Sequence, residues 1–159
     1  MVLRTSAEGP WIFQSPEEMQ AWGRRLAPRL KPGDVIALVG PLGAGKTTLA
    51  QSIVGRLGYQ RGAVSPTFAL VNEYRTRRGN VYHMDMYRLS EREREDFPVE
   101  EYWNGICLIE WADRIRDRWP ADALEVRLRI RGLNRRELSL PAVPRTWAMR
   151  LPARASRVP

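Results

Sequence analysis

Apolar residues in the first third of the chain follow two different spacings. Ser15-Pro16-Glu17-Glu18 predicts a helix start, with Ser15 as the N-cap, Pro16 at the first helical position and Glu18 completing a capping box. The apolar face of this helix recurs at helical spacing, at Met19, Trp22, Leu26 and Leu30. The unbroken apolar run from Val35 to Val39 instead predicts a strand that is buried on both sides of a sheet.

The next apolar stretches predict a second helix and then a hairpin. The helix has an apolar face formed by Leu49, Ile53 and Leu57. It ends at Gly58, a residue that suits a left-handed cap. Two strands, Phe68 to Tyr74 and Asn80 to Met86, flank the polar turn Arg75 to Gly79, so an antiparallel pair is expected here.

The last third of the chain predicts a buried strand, Ile106 to Ile109, and a second hairpin. Apolar and charged residues alternate from Leu124 to Arg131, so the core should receive Leu124, Val126, Leu128 and Ile130. After a turn at Gly132, the strand Glu137 to Leu140 returns. This order of elements predicts an α/β fold, with a mixed β-sheet flanked by helices and a C-terminal antiparallel hairpin.

A complete phosphate-binding motif lies between the first buried strand and the second helix. Residues 40–47 read G-P-L-G-A-G-K-T and match the Walker A pattern in full. The backbone N–H groups of such a loop surround phosphate oxygens, Lys46 faces the β- and γ-phosphates, and Thr47 offers its hydroxyl to Mg²⁺. The expected binding residues are Gly43, Ala44, Gly45, Lys46, Thr47 and Thr48. The sequence therefore predicts a single P-loop NTPase-like domain that binds ATP with magnesium.

Two acids at predicted strand ends are candidates for catalysis and for the metal. Glu110 follows four apolar residues, the pattern of a Walker B strand, and Asp85 follows the apolar stretch that begins at Val81. One acid could hold the metal while the other orients water. Ser65-Pro66-Thr67 occupies the place of a switch segment, although a simple turn is the alternative. His83, in mid-strand, is expected to pack rather than to act in catalysis.

The length and the charge of the chain limit its domain organisation and the partners it could have. We expect one domain over residues 1–140 and a basic tail over 141–159, rich in Pro and Arg and extended or flexible. The chain has 26 basic and 18 acidic residues, a net charge of +8, and its only lysines are Lys31 and Lys46. Such a surface attracts nucleic acid or an acidic protein, or is simply solvated, and composition leaves both readings open.

Several classes are disfavoured. No apolar stretch approaches the roughly 18 residues of a membrane span, and residues 1–10 do not resemble a secretory signal. The single cysteine, Cys107, lies in an apolar run and predicts a reduced, buried thiol. These features favour the cytoplasm. A GTPase is disfavoured because the chain has no N-K-x-D or T-K-x-D segment.

Four segments together resemble the TsaE (YjeE) family, the small P-loop ATPases of bacterial tRNA threonylcarbamoyladenosine biosynthesis. They are L-G-A-G-K-T-T at 42–48, S-P-T-F-A-L-V-N-E-Y at 65–74, H-M-D-M-Y-R-L at 83–89 and I-E-W-A-D at 109–113. The resemblance covers about residues 15 to 140. Three departures are Pro41, where the family usually has Asp or Glu, Phe97-Pro98-Val99, where it usually has a glycine, and the Arg-rich tail from Arg145 to Pro159, which matches no known role in the family.

The resemblance implies specific roles. Thr47 and Glu110 would ligate Mg²⁺, Asp85 would assist the metal or the catalytic water, and Thr67 would belong to the switch segment. The implied partners are TsaD and TsaB, with tRNA met indirectly through their complex. The ATP cycle would gate or reset that complex rather than modify tRNA directly.

Two other classes of function remain as alternatives. A small-molecule kinase would use the same motif, although the arginines of this chain form no obvious lid segment. A nucleotide-gated binding module would bind ATP with negligible turnover, and the two acids argue against it.

Overall fold

The computed structural model describes residues 4–5, 8–59, 63, 65–66 and 69–153. Nine strands lie within these ranges: β1 Arg4–Thr5, β2 Glu8–Phe13, β3 Val35–Val39, β4 Val71–Thr76, β5 Gly79–Asp85, β6 Ile106–Glu110, β7 Leu124–Ile130, β8 Arg136–Leu140 and β9 Val143–Pro144. The same ranges contain the α-helices α1 Pro16–Leu26, α2 Lys46–Arg56 and α3 Glu91–Asp96. Short 3₁₀ segments are Ala27–Arg29, Val99–Tyr102, Ala112–Arg118 and Arg145–Trp147.

Seven of the described strands form one mixed sheet in the order β2-β8-β7-β3-β6-β5-β4. The central strands are parallel, with β3 between β6 and β7 and with β5 beside β6. The outer strands β4, β8 and β2 run antiparallel to their neighbours. The carboxyl ends of β3, β5 and β6 therefore meet at one edge of the sheet, as expected for parallel strands. The predicted α/β fold with a mixed sheet is confirmed.

The strand β3 is buried on both faces, as its apolar run predicts. Ile36 and Leu38 join the larger core, which contains α1 and α2, while Val35 and Ala37 join a smaller core on the opposite face. The two helices pack closely at Gly23, where a Cβ atom would lie 2.3 Å from the Ser52 hydroxyl oxygen. α1 is thus packed firmly against α2.

The start of α1 differs in one detail from its prediction. The Ser15 hydroxyl accepts a hydrogen bond from the Glu18 N–H, as expected of an N-cap. The Glu18 carboxylate, however, accepts from the N–H of Gln14 at 2.7 Å and not from that of Ser15. A complete capping box occurs instead at α3, between Ser90 and Glu93. The end of α2 is as predicted, with Gly58 at φ +101°.

Two strand predictions are corrected by the structure. β4 begins at Val71 rather than at residue 68, because Leu70 has φ 60° and its N–H bonds to the Pro66 carbonyl in a tight turn. Phe68 itself lies outside the described residues. Ile130, predicted to face the core, is 45% exposed, because it is the last residue of β7, next to the hairpin turn. In contrast, Glu125 on the opposite face is buried by its ion pairs with Arg116 and Arg127.

Residues 141–153, the first part of the predicted tail, pack onto the sheet and its loops. β9 pairs with β1, and Trp147 is 1% exposed with its indole N–H donating to the Asp122 carbonyl at 2.7 Å. The Arg150 guanidinium pairs with Asp34, which directly precedes β3. Residues 154–159 lie outside the described part.

Cys107 is buried, as expected, and burial raises the pKa of its thiol to about 12. Its Sγ donates to the Tyr102 carbonyl at 3.0 Å. None of the helices in the described part of the chain has the length and apolar character needed to cross a membrane.

We predict that Trp147→Ala lowers the free energy of unfolding by about 3–5 kcal/mol, because it leaves a cavity and an unpaired carbonyl at Asp122. Urea denaturation measures this change. The control is Met149→Ala, since Met149 is 95% exposed and its loss should change stability by less than about 0.5 kcal/mol. Equal stabilities for the two variants would contradict the packing of residues 141–153.

Candidate functional site

The glycine loop, residues 40–45, joins β3 to α2. Gly43 and Gly45 have φ of +79° and +102°, values that side-chain-bearing residues rarely adopt. A Cβ atom on Gly45 would also lie 2.5 Å from the Met19 methyl carbon of α1. The backbone conformation therefore favours glycine at position 45, and a side chain there would also displace the end of Met19.

The ammonium of Lys46 lies inside the curl of the loop. It donates to the carbonyls of Gly40 and Pro41 at 2.7 and 2.9 Å, and the residue is 5% exposed. Burial lowers the pKa of Lys46 below its usual value, while the nearby carboxylates, led by Glu110, act in the opposite direction. The indole of Trp111 covers the ammonium, with its ring centroid 4.1 Å away.

A buried chain of three side chains joins α2 to the two central strands. The Thr47 hydroxyl donates to Glu110 Oε2 at 2.8 Å, and His83 Nε2 lies 2.7 Å from Glu110 Oε1. Because a carboxylate accepts at both positions, the shared proton of the second contact is assigned to His83 Nε2. His83 therefore both packs in β5, as predicted, and orients Glu110.

Asp85 is held beside this chain by strand register. It pairs with Glu110 across β5 and β6 and is 6% exposed. One of its carboxylate oxygens accepts from the Tyr87 N–H at 2.8 Å. The structure thus brings together the two acids, Lys46 and Thr47, which are far apart in the sequence.

A cleft of about 390 Å³ opens in front of these groups. Its walls are formed by Leu42, Gly43, Gly45, Lys46, Thr47, Thr48, Asp85, Tyr87, Arg88, Glu110 and Trp111. The ring of Tyr87, 45% exposed, packs on that of Trp111 at 4.7 Å between centroids. Trp111 has φ 53°, an uncommon conformation for a bulky residue. A local sequence pattern does not distinguish a Tyr87 ring that lines a cleft from one that packs in a core, so the pairing of the two rings becomes evident only in the structure.

The remaining predicted site residues are Ala44, Ser65 and Thr67. The Ala44 side chain is fully buried, so this residue can offer only its backbone to the cleft. Ser65 is half-buried and is not among the cleft residues within the described part of the chain. Thr67 lies outside the described residues. The switch assignment for Ser65 and Thr67 stays a prediction.

The oxygen atoms of the site suit a hard divalent cation. A hydroxyl and a carboxylate oxygen, from Thr47 and Glu110, lie 2.8 Å apart, with a second carboxylate from Asp85 beside them. Within the described ranges no three His, Cys, Asp or Glu side chains form a metal cluster. Mg²⁺ is commonly held by one or two protein oxygens together with substrate phosphates and water. These residues could therefore hold Mg²⁺ once phosphate is present.

Parallel strands, a Walker A sequence and facing carboxylates define an α/β protein with its site at the carboxyl edge of the sheet. The model of the TsaE family, described as threonylcarbamoyl adenosine biosynthesis protein TsaE, matches residues 13–138. The chain belongs to this family, which confirms the resemblance seen in its sequence.

Individual relatives agree with the family match. The chain is 40% identical over 141 residues to the tRNA threonylcarbamoyladenosine biosynthesis protein TsaE of Bacillus subtilis, covering 87% of this chain and 89% of that protein. A protein of the same description from Rickettsia prowazekii is 37% identical over 131 residues, covering 80% and 91%. The crystal structure of Bacillus subtilis YdiB matches with a TM-score of 0.74 and 34% identity, covering 94% of this chain and 93% of that one.

We predict an energetic coupling between His83 and Glu110. His83→Leu should lower the free energy of unfolding by about 1.5–3 kcal/mol, because the buried carboxylate loses a donor. In a double-mutant cycle with Glu110→Gln, urea denaturation should give a coupling above about 0.5 kcal/mol. Combining Glu110→Gln with the exposed Met149→Ala provides an additive control. Additivity in both cycles would show that the contact does not stabilise the site.

Proposed function

We propose that this chain binds ATP with Mg²⁺ and hydrolyses it, as the ATPase component of tRNA threonylcarbamoyladenosine biosynthesis. The observation that carries the proposal is the contact of Thr47 with Glu110 at 2.8 Å, directly beside the buried ammonium of Lys46. A positive charge, a hydroxyl and a carboxylate converge at the first turn of α2, where a polyphosphate and its metal ion are best accommodated.

Binding is assigned to the backbone and to Lys46. The N–H groups of Gly43 and of residues 45–48, together with the positive end of the α2 dipole, would receive the phosphate oxygens, while the Ala44 N–H closes the turn onto the Pro41 carbonyl. Lys46 would meet the β- and γ-phosphates, and its shielding from water strengthens that attraction.

Hydrolysis is assigned to the two acids. Both oxygens of Glu110 are already oriented by Thr47 and His83, which suits a fixed metal ligand, with Thr47 as the second. When bound, Mg²⁺ neutralises charge that develops on the phosphate oxygens. Asp85, beside Glu110 on the next strand, would orient the attacking water.

The biological role follows from the family and remains part of the proposal. The relatives carry the name of tRNA threonylcarbamoyladenosine biosynthesis proteins. We propose that the ATP cycle of this chain gates or resets the TsaD–TsaB complex and that tRNA is met through that complex. The exposed ring of Tyr87 at the mouth of the cleft is a suitable place for a partner to sense the nucleotide.

We predict that two substitutions in the cleft affect different steps, one nucleotide binding and the other hydrolysis. Lys46→Ala should weaken ATP binding at least about tenfold, because it removes the cation facing the phosphates. Glu110→Gln should keep most of that affinity but slow Mg²⁺-dependent hydrolysis about 100-fold. Calorimetry and phosphate release measure the two effects, and the exposed Glu101→Gln is the control. Wild-type turnover in Glu110→Gln would refute its assignment to the metal.

We predict nucleotide-dependent association with TsaD and TsaB. Immobilised chain should retain both proteins with ATP, and differently with ADP or without nucleotide. Equal retention in all three conditions would contradict gating. Phosphate transfer from ATP to a nucleoside or metabolite would instead identify a kinase. Nucleotide-dependent retention without phosphate release would identify a gated binding module.

A further inference from the structure

Arg136, the first residue of β8, connects the glycine loop to the β7–β8 hairpin. Its Nη1 donates to three carbonyls of the hairpin turn, those of Gly132, Leu133 and Arg135, at 2.9, 3.2 and 3.0 Å. Its Nη2 donates to the carbonyl of Gly43 at 3.0 Å, a contact between residues 93 positions apart. One guanidinium therefore holds four backbone carbonyls from two separate segments.

The two ends of the glycine loop are fixed by packing, but its middle is open. At the start, a Cβ atom on Gly40 would lie 2.5 Å from the Leu128 carbonyl oxygen. At the end, Gly45 packs equally closely on Met19. Between them, Leu42 is 78% exposed, and nothing lies within 4 Å of a Cβ atom built on Gly43. Although Ala44 is buried, Leu42 and Gly43 have little packing, so hydrogen bonds contribute most to holding this part of the loop.

The Gly43 carbonyl is well placed to accept the hydrogen bond that holds this part of the loop. It shares one rigid peptide plane with the N–H of Ala44, which closes a turn onto the Pro41 carbonyl at 3.1 Å. In a trans peptide these two groups point in opposite directions. Arg136 and Pro41 therefore hold the same plane from its two sides, and rotation of the plane would break both hydrogen bonds.

We propose that Arg136 is a positioning residue that keeps the glycine loop in the shape that receives the polyphosphate. The proposal rests on the function proposed above. The planar fork of an arginine can reach both segments at once, which the single ammonium of a lysine cannot do equally well. Within the described residues Arg136 forms no ion pair, so its positive charge also adds to the attraction for an anion.

The test compares Arg136→Ala and Arg136→Lys with the neighbouring control Arg135→Ala, whose side chain is exposed. The probe is Mg²⁺–ADP, with affinity measured by calorimetry and loop dynamics by hydrogen exchange of peptides covering residues 40–46. We expect Arg136→Ala to lose about tenfold in ADP affinity, as for one lost hydrogen bond to a charged donor. Loop exchange should rise in the protein without nucleotide, and Arg136→Lys should fall between Arg136→Ala and the wild type.

The outcomes separate the proposal from simpler roles. Unchanged affinity and loop exchange in Arg136→Ala would show that Arg136 only caps the hairpin turn, and would overturn the proposal. If Arg136→Ala does not fold, the Arg136→Lys variant provides the test. Wild-type ADP affinity and wild-type loop exchange in Arg136→Lys would show that a positive charge is sufficient and that the guanidinium fork is not needed. If the wild type does not bind nucleotide, the proposed function is refuted. Hydrogen exchange of the loop in the nucleotide-free protein would still test the positioning role of Arg136. In steady-state assays, a raised KM for ATP with kcat changed less than about twofold supports positioning.

Discussion

The burial of Glu110 is the constraint on which the rest of the site depends. This carboxylate is 3% exposed, and a buried charge is tolerated only where donors and opposite charge surround it. β6 lies between β3 and β5, so both neighbouring strands can supply them. The loop after β3 leads to Thr47 and Lys46, and β5 contributes His83. The order of the strands therefore determines which side chains meet around Glu110, because residues that are adjacent in the sequence could not form this arrangement.

The shape of the glycine loop depends on elements outside its motif. Met19 of α1 confines Gly45, and Leu128 of β7 confines Gly40. The motif predicts which residues can wrap a phosphate, but α1 and the β7–β8 hairpin restrict the loop to one conformation before any ligand arrives. Such preorganisation lowers the entropy lost on binding. The residues that confine the loop, Met19 and Leu128, both lie within the residues 13–138 that the family model matches.

Local patterns predicted the elements well, whereas contacts between distant residues escaped them. The apolar run of β3 and the motif at its end could be predicted because each is determined by residues that are adjacent in the sequence. The packing of Trp147 on the Asp122 carbonyl was not, because no periodicity marks a single buried indole in a Pro- and Arg-rich segment. His83 shows a subtler limit. The sequence favours packing over catalysis at this position, but the buried imidazole both packs and orients Glu110, and only the distance between the two side chains reveals the second role.

The arginine content can also be explained by structure. Composition left open a choice between a polyanion-binding surface and a solvated one, yet many guanidinium groups here donate to backbone carbonyls at the ends of elements. Arg118 donates to the carbonyls of Arg94 and Phe97 at the end of α3, and Arg150 donates to that of Arg29. A planar fork with five donors suits such positions better than an ammonium. A net charge of +8 therefore does not by itself indicate nucleic acid as a partner, because part of it serves to close the fold.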